Sequence, residues 1–142
     1  MAKTSNNDYR ALAAFRYEVR KFLAFSEQAA RNASIEPQQH QLLLAVRGLP
    51  EHTRPTIGAI AERLCVQHHT VVALVDKVEA AGLLVRVRSA KDRREVLLSL
   101  TLEGDQMLAG LSVLHREQLR SVGPAMVAAL TKIVGKRAKK AP

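Results

Sequence analysis

Two short stretches near the middle of the chain carry apolar residues at helical spacing. In each stretch the apolar positions fall at i, i+3, i+4 and i+7, which places them on one face of a helix. They are Ile57, Ile60, Ala61 and Leu64 in the first stretch, and Val71, Leu74, Val75 and Val78 in the second. Thr56 is placed to cap the first helix, residues 65–67 leave room only for a short turn, and Gly82 can end the second helix in the left-handed conformation. The pattern therefore predicts a helix-turn-helix.

A charged hairpin is predicted directly after Gly82. Segments 84–88 and 96–100 have the character of strands, and alternate residues of the second segment fall on one face of a strand. The tip between them holds three cations and one carboxylate. These residues are Lys91, Asp92, Arg93 and Arg94. Asp92 is expected to accept hydrogen bonds from Arg94 or from loop amides and so to fix the tip. A helix-turn-helix followed by such a hairpin predicts a winged helix-turn-helix, a fold that docks one helix in a DNA groove.

The start of the second helix and the hairpin carry the candidate DNA-contacting residues. Base edges are usually touched by the N-terminal residues of a recognition helix, and a long arginine at a hairpin tip can enter a narrow minor groove. The candidates are Gln67, His68, His69, Thr70, Lys77, Arg86, Lys91, Asp92, Arg93 and Arg94. An ordinary solvated helix face and a plain charged turn are the alternatives for the same residues.

The stretch from Thr56 to Thr101 resembles the MarR family of bacterial transcription regulators. The resemblance is carried by AERL-x-V from Ala61, by TVxxLVDKVEAAGLL from Thr70, and by Asp92-x-Arg94 ahead of Leu100-Thr101. It implies that residues 67–77 lie in the major groove and that Asp92 and Arg94 form a minor-groove wing. Val72 and Ala73 depart from the polar residue and arginine that the family often has there. This departure moves the expected base readout onto His68, His69 and Thr70.

Long apolar helices are predicted on either side of this module. Residues 8–31 carry all five aromatic residues of the chain, and a helix from Thr101 is expected to break at Gly123-Pro124 before a last helix begins. Their apolar surface exceeds what one small winged domain needs, so they can anchor a dimer, line a ligand cavity or simply complete the core. The predicted fold class is mainly α (α+β), a winged helix-turn-helix at 37–101 with flanking dimerisation helices at 8–31 and 102–138, within a single chain of residues 1–142. A two-fold dimer presents two recognition helices to a palindromic site, with half-site centres about 10 base pairs apart.

The charge of the chain favours a polyanionic partner. The net charge is +9 and the isoelectric point is about 10.3, which suits nucleic acid. No aromatic residue lies near the basic hairpin, whereas proteins that bind RNA or single strands stack bases on aromatics beside their basic grooves. Double-stranded DNA is therefore the expected partner. The chain has neither the roughly 18 consecutive apolar residues of a membrane span nor a signal-peptide core, so no membrane association and a cytoplasmic location are expected.

The cysteine, the histidines and the acidic residues bear on other classes of function. The single cysteine, Cys65, is expected to be a small buried apolar residue, and a redox switch is the alternative. A metal sensor would need three or four converging ligands, which His40, His52 and His115 could supply only if the fold assembled them. No cofactor or metal is expected. The sequence shows neither a nucleophile paired with a base nor a carboxylate cluster, so an enzyme is not expected.

The resemblance also implies an effector. Family members often release DNA when small, frequently anionic aromatic molecules bind between the dimer helices and the DNA-binding module. The candidate ligand-binding residues are Phe15, Phe22, His40, Arg47 and His115. The sequence therefore predicts a sequence-specific, homodimeric DNA-binding regulator, a repressor released by a small ligand, with a metal- or redox-responsive regulator as the alternative.

Overall fold

The computed structural model describes residues 3–135 and assigns these residues to five helices and one two-stranded antiparallel sheet. The helices are α1 (Asn6–Asn32), α2 (Pro37–Arg47), α3 (Ile57–Leu64), α4 (His68–Ala80) and α5 (Leu102–Val134), and the strands are β1 (Leu84–Arg88) and β2 (Val96–Leu100). The mainly α winged-helix fold class predicted from the sequence is confirmed. No helix among these residues is long and apolar enough to cross a membrane.

The described residues form two compact units. Among the described residues, the helical unit comprises 3–28 and 113–135, and the central unit runs from Ala29 to Ser112. In the central unit, α2, α3 and α4 pack on one another, while β1 packs against α4 and β2 against α2 and α3. Its fully buried side chains include Leu42, Leu43, Ile60, Val71, Val75, Val78, Leu84 and Leu98. Burying an aliphatic side chain of this size contributes about 1.5–3 kcal/mol, so these apolar faces hold the unit together.

Helix starts in both units are capped by side chains. Thr56 accepts a hydrogen bond from the amide of Ala59 at 3.1 Å, which confirms its predicted role. At the start of α1, the Ser5 hydroxyl accepts from the Asp8 amide at 3.2 Å, and the Ser5 amide donates to the Asp8 carboxylate at 2.8 Å. The hydrogen bond from the Ser5 amide, followed by that from its hydroxyl, lowers the pKa of Asp8 below its ordinary value of 3.8. The carboxylate is thereby stabilised where the helix dipole also favours a negative charge.

Left-handed residues end the two helices of the helix-turn-helix. Gly82 has φ +78°, and the Leu83 amide donates to the Val78 carbonyl at 3.1 Å, which is the Schellman arrangement expected there. Cys65 ends α3 in the same way, with φ 57°. The prediction that Cys65 is buried is wrong, because its side chain is exposed. Cys65 follows the last residue of α3 in the left-handed conformation, so its side chain does not continue the apolar face of the helix.

The helix after the hairpin does not break where the sequence predicted. α5 runs continuously from Leu102 to Val134 with Pro124 inside it. Proline removes one backbone hydrogen bond, and its ring disfavours helical geometry in the preceding residue mainly through that residue's Cβ and amide. The preceding residue is Gly123, which has no Cβ, so part of this steric cost is absent. The last positions of the predicted range 102–138 lie outside the described residues.

Candidate nucleic-acid interface

The N-terminal end of α4 presents polar side chains to solvent. Gln67, at the N-cap, makes no side-chain capping hydrogen bond, and its side chain is exposed together with those of His68 and His69. Thr70 is half-buried. The opposite face of α4 is buried through Val71, Leu74, Val75 and Val78, so one face of the helix packs on the protein and the other faces solvent. Lys77, one predicted contact further along, is also exposed.

The hairpin tip is fixed by hydrogen bonds among its own residues. The amide of Arg94 donates to Asp92 Oδ1 at 2.9 Å, which confirms the prediction that Asp92 holds the tip through loop amides. The buried Ser89 Oγ accepts from the amides of Lys91 and Asp92 at 3.2 and 3.3 Å. Arg88 Nη1 donates to the carbonyl of Arg93 at 3.0 Å. These bonds leave the side chains of Lys91, Arg93 and Arg94 exposed.

The base of the hairpin is tied to the segment before α3, a link that sequence reasoning missed. Arg54 Nη2 lies 2.5 Å from Glu95 Oε1 and 3.0 Å from Ser89 Oγ. The Leu98 amide donates to the carbonyl of Pro55 at 2.8 Å. Serine beside a turn commonly bonds backbone amides, so the role of Ser89 was detectable in the sequence. The pairing of Arg54 with a residue 41 positions away was not.

Arg86, a predicted DNA contact, is engaged by two carboxylates of α4. Its Nη1 lies 2.5 Å from Glu79 Oε1 and its Nη2 2.5 Å from Asp76 Oδ1. Its backbone amide also donates to Glu79 Oε2 at 3.1 Å. The hydrogen bond that the Arg86 guanidinium donates to Asp76 is the largest cause that raises the pKa of Arg86. These contacts connect β1 to α4 and occupy the side chain that the sequence assigned to DNA.

Two of the five candidate ligand-binding residues meet in the helical unit. The His115 ring lies edge-on to Phe22, with ring centroids 5.9 Å apart, and His115 Nε2 lies 2.7 Å from Ser26 Oγ. Phe25, which the sequence reasoning did not select, makes a similar contact at 5.7 Å. Its spacing of three residues from Phe22 could have indicated a shared helix face.

The other three candidates lie elsewhere. Phe15 is half-buried on α1 in the helical unit. In the central unit, His40 is buried, and the exposed Arg47 pairs with Asp105 at 3.2 Å. Within the described residues, no three His, Cys, Asp or Glu side chains are grouped so that they could hold a metal ion.

The sequence and fold of this chain are similar to those of known proteins. A sequence model of the MarR family matches residues 33–95. The chain is 38% identical over 72 residues to the HTH-type transcriptional repressor MdtR of Bacillus subtilis (strain 168), covering 48% of this chain and 46% of the repressor. It is 31% identical over 111 residues to the uncharacterized HTH-type transcriptional regulator YkoM of the same organism, covering 75% and 69%. The chain thus aligns with about half the length of MdtR and two thirds of YkoM.

A solved structure extends the likeness to nearly the whole chain. A mutant of S. aureus MepR bound to an oligodeoxyribonucleotide superposes with a TM-score of 0.65, covering 93% of this chain and 97% of that one, at 21% identity. At this identity the superposition shows a shared fold. The family match and the extended alignment to YkoM show that the chain belongs to the MarR family of transcription regulators.

Proposed function

We propose that the protein is a transcriptional repressor that binds duplex DNA as a homodimer on a palindromic site. The observation that carries this proposal is the presence, in one compact unit, of an exposed polar helix start and a cationic wing tip held by its own hydrogen bonds. His68 and His69 can reach base edges, while Lys91, Arg93 and Arg94 can reach phosphates or a minor groove. The DNA bound to MepR in the similar structure supports the same use of the fold.

The test is selection of bound sites from genomic fragments, followed by gel shifts at several salt concentrations. We expect a palindromic site and a steep loss of affinity with salt, because each neutralised phosphate releases counterions. Absence of preference for any duplex, at low salt and with the wing intact, would rule out this function. The genes beside the best site then indicate whether the protein represses them.

Exposed apolar residues on the helical unit support the homodimer. Six residues between Asn7 and Ala14 of α1 line a cleft with Lys132 and Ile133 of α5, while Phe22 lies against His115, so the two helix segments run antiparallel. Leu12, Val127 and Leu130 are 49, 64 and 45% exposed, an apolar surface of the kind that marks association sites.

Light scattering after gel filtration tests the dimer. We expect twice the chain mass of 15.6 kDa for the wild type, and one chain mass for a Val127→Glu/Leu130→Glu variant. Leu44→Glu on α2, at a leucine that is 49% exposed in the central unit, is the matched control and should stay dimeric. A monomeric wild type would contradict the dimer but would leave the proposal that the central unit binds DNA intact.

Release by a small anionic aromatic effector completes the proposal. The cluster of Phe22, Phe25, Ser26 and His115 combines ring edges with a hydroxyl–imidazole pair, chemistry that can bind an aromatic carboxylate. Titration of aromatic carboxylates into the protein–DNA complex tests this, with His115→Ala expected to weaken release while DNA affinity without effector is kept.

A redox-responsive regulator is the second candidate. It is favoured by the exposure of Cys65 three positions before His68, since an accessible thiol is required for oxidation. Peroxide should then weaken DNA binding by the wild type and leave Cys65→Ser unaffected. Equal sensitivity of both proteins would remove this candidate.

A further inference from the structure

Backbone hydrogen bonds attach the hairpin to its surroundings along both edges. Arg86 and Leu98 lie opposite each other in the antiparallel register. The Arg86 amide donates to Glu79 of α4 at 3.1 Å, and the Leu98 amide donates to the Pro55 carbonyl at 2.8 Å. Both amides therefore point away from the partner strand, as in a non-hydrogen-bonded pair. The hairpin is held by the recognition helix on one side and by the entry to α3 on the other.

The Arg86 guanidinium strengthens the attachment to α4. Asp76 and Glu79 are three residues apart on α4 and therefore lie on the same side of the helix. The planar fork of arginine can donate to two carboxylates at once from two separate nitrogens, a geometry that the single ammonium nitrogen of lysine does not have. Two carboxylates surround one guanidinium, so this cluster has no surplus positive charge for a phosphate.

We propose that Arg86 is a positioning residue that sets the angle between the wing and the recognition helix and offsets one of the two negative charges of Asp76 and Glu79. The inference rests on the proposed DNA-binding function and revises the predicted role of Arg86 as a DNA contact. An unneutralised carboxylate beside the DNA surface would repel phosphate. Arg86 lowers this repulsion by offsetting one of the two negative charges, and it also fixes the spacing at which α4 and the tip meet their grooves.

Substitutions of the two acidic partners distinguish positioning from simple electrostatics. Glu79→Gln and Asp76→Asn each remove a negative charge, so charge alone predicts tighter binding to DNA. The contacts of Arg86 with Asp76 and Glu79 form a clamp between β1 and α4. Loss of this clamp predicts weaker binding to the selected site, by about threefold for the exposed Asp76 pair and more for Glu79. Glu62→Gln, at an exposed carboxylate of α3, is the matched control for charge and should bind at least as tightly as the wild type.

Substitutions of Arg86 itself separate the clamp from a phosphate contact. Lysine preserves a point charge that binds phosphate, so a phosphate contact predicts nearly wild-type affinity for Arg86→Lys. The clamp predicts roughly tenfold weaker binding to the selected site and a smaller loss on unrelated duplex, because helix and wing no longer fit both grooves together. The ratio of the two affinities is the decisive readout, since a loss of folded protein alone would leave that ratio unchanged.

Fluorescence anisotropy with the selected duplex and an unrelated duplex measures these effects, at temperatures well below each variant's unfolding transition. Weaker specific binding by Glu79→Gln and Arg86→Lys, with no loss of binding by Glu62→Gln, supports the inference. Tighter binding by Glu79→Gln, or full affinity of Arg86→Lys, overturns it while DNA binding stands. Absence of any duplex binding by the wild type would instead overturn the proposed function on which it rests.

Discussion

A Cβ atom at Gly104 would lie 2.0 Å from the carbonyl oxygen of Leu83. The start of α5 is bonded to the same turn, because the Thr101 amide donates to the Leu83 carbonyl and the Thr101 hydroxyl to the Gly82 carbonyl, at 3.1 and 2.7 Å. The obstructing atom is backbone held by these bonds, so it cannot yield as a flexible side chain would.

We therefore expect Gly104→Ala to lower the free energy of unfolding by about 1–3 kcal/mol, the usual cost of overpacking. Gly110 on the same helix has no atom within 4 Å of its Cβ position, and Gly110→Ala should stabilise the chain by about 0.5–1 kcal/mol through helix propensity. Urea unfolding of both variants measures this difference. Equal stabilities would show that the approach of α5 to Leu83 is looser than described.

The two histidines at the start of α4 should control specificity more than affinity. Replacing His68 or His69 by alanine is expected to weaken binding to the selected site by about 1 kcal/mol for each lost base contact. Binding to unrelated duplex should change little, because phosphate contacts supply it. His52→Asn is the control, since His52 is exposed and its φ of 67° is tolerated by asparagine. Equal losses on both duplexes would show that these histidines touch phosphates.

Arg94 and Asp92 should affect DNA binding in separable ways. Arg94→Ala removes a cation, so affinity should fall on all sequences and the slope of log affinity against log salt should shrink by about 0.9. Asp92→Ala removes a negative charge but also the acceptor of the Arg94 amide. It should weaken binding because the tip loosens. Tighter binding by Asp92→Ala would show that the charge of Asp92 outweighs its hydrogen bond.

The capping of α1 by Asp8 gives a pH dependence of defined sign. Because hydrogen bonds from Ser5 lower the pKa of Asp8 in the folded chain, its contribution to stability is present above the ordinary value of 3.8 and is lost as pH falls through the lower, folded-state pKa. NMR titration of the Asp8 carboxyl carbon should give a midpoint below 3.8. Ser5→Ala should raise this midpoint only in part, because the backbone amide still donates. A midpoint at or above 3.8 in the intact chain would contradict the cap.

Local sequence patterns predicted the helices and the hairpin of the winged helix-turn-helix. The spacing of Ile60 and Val71 with their neighbours sufficed for both helices, because a helix face repeats within a few residues. Asp92 could be assigned because its partner, the Arg94 amide, lies two residues away. The roles of Gly82 and Thr56 at helix ends were predictable for the same reason, because each depends on residues a few positions away.

Contacts between distant segments were not predictable in this way. Arg86 was assigned to DNA because its charge is visible in the sequence, whereas its proximity to Asp76 and Glu79 depends on how β1 packs on α4. Arg54 was left without a role because Glu95 reaches it only through the hairpin. Cys65 was expected to be buried because it lies at the turn between two helices, whereas its left-handed backbone conformation leaves the side chain exposed.

The double attachment of the hairpin also bears on solubility. A two-stranded sheet has two edges, and unpaired amides on an edge can recruit a strand from another molecule. At the middle of this hairpin, the outward amide of Arg86 is occupied by a carboxylate and that of Leu98 by the Pro55 carbonyl. The contacts that orient the wing therefore also block strand addition at these positions, so loosening the clamp should expose the wing to aggregation as well as weaken DNA recognition.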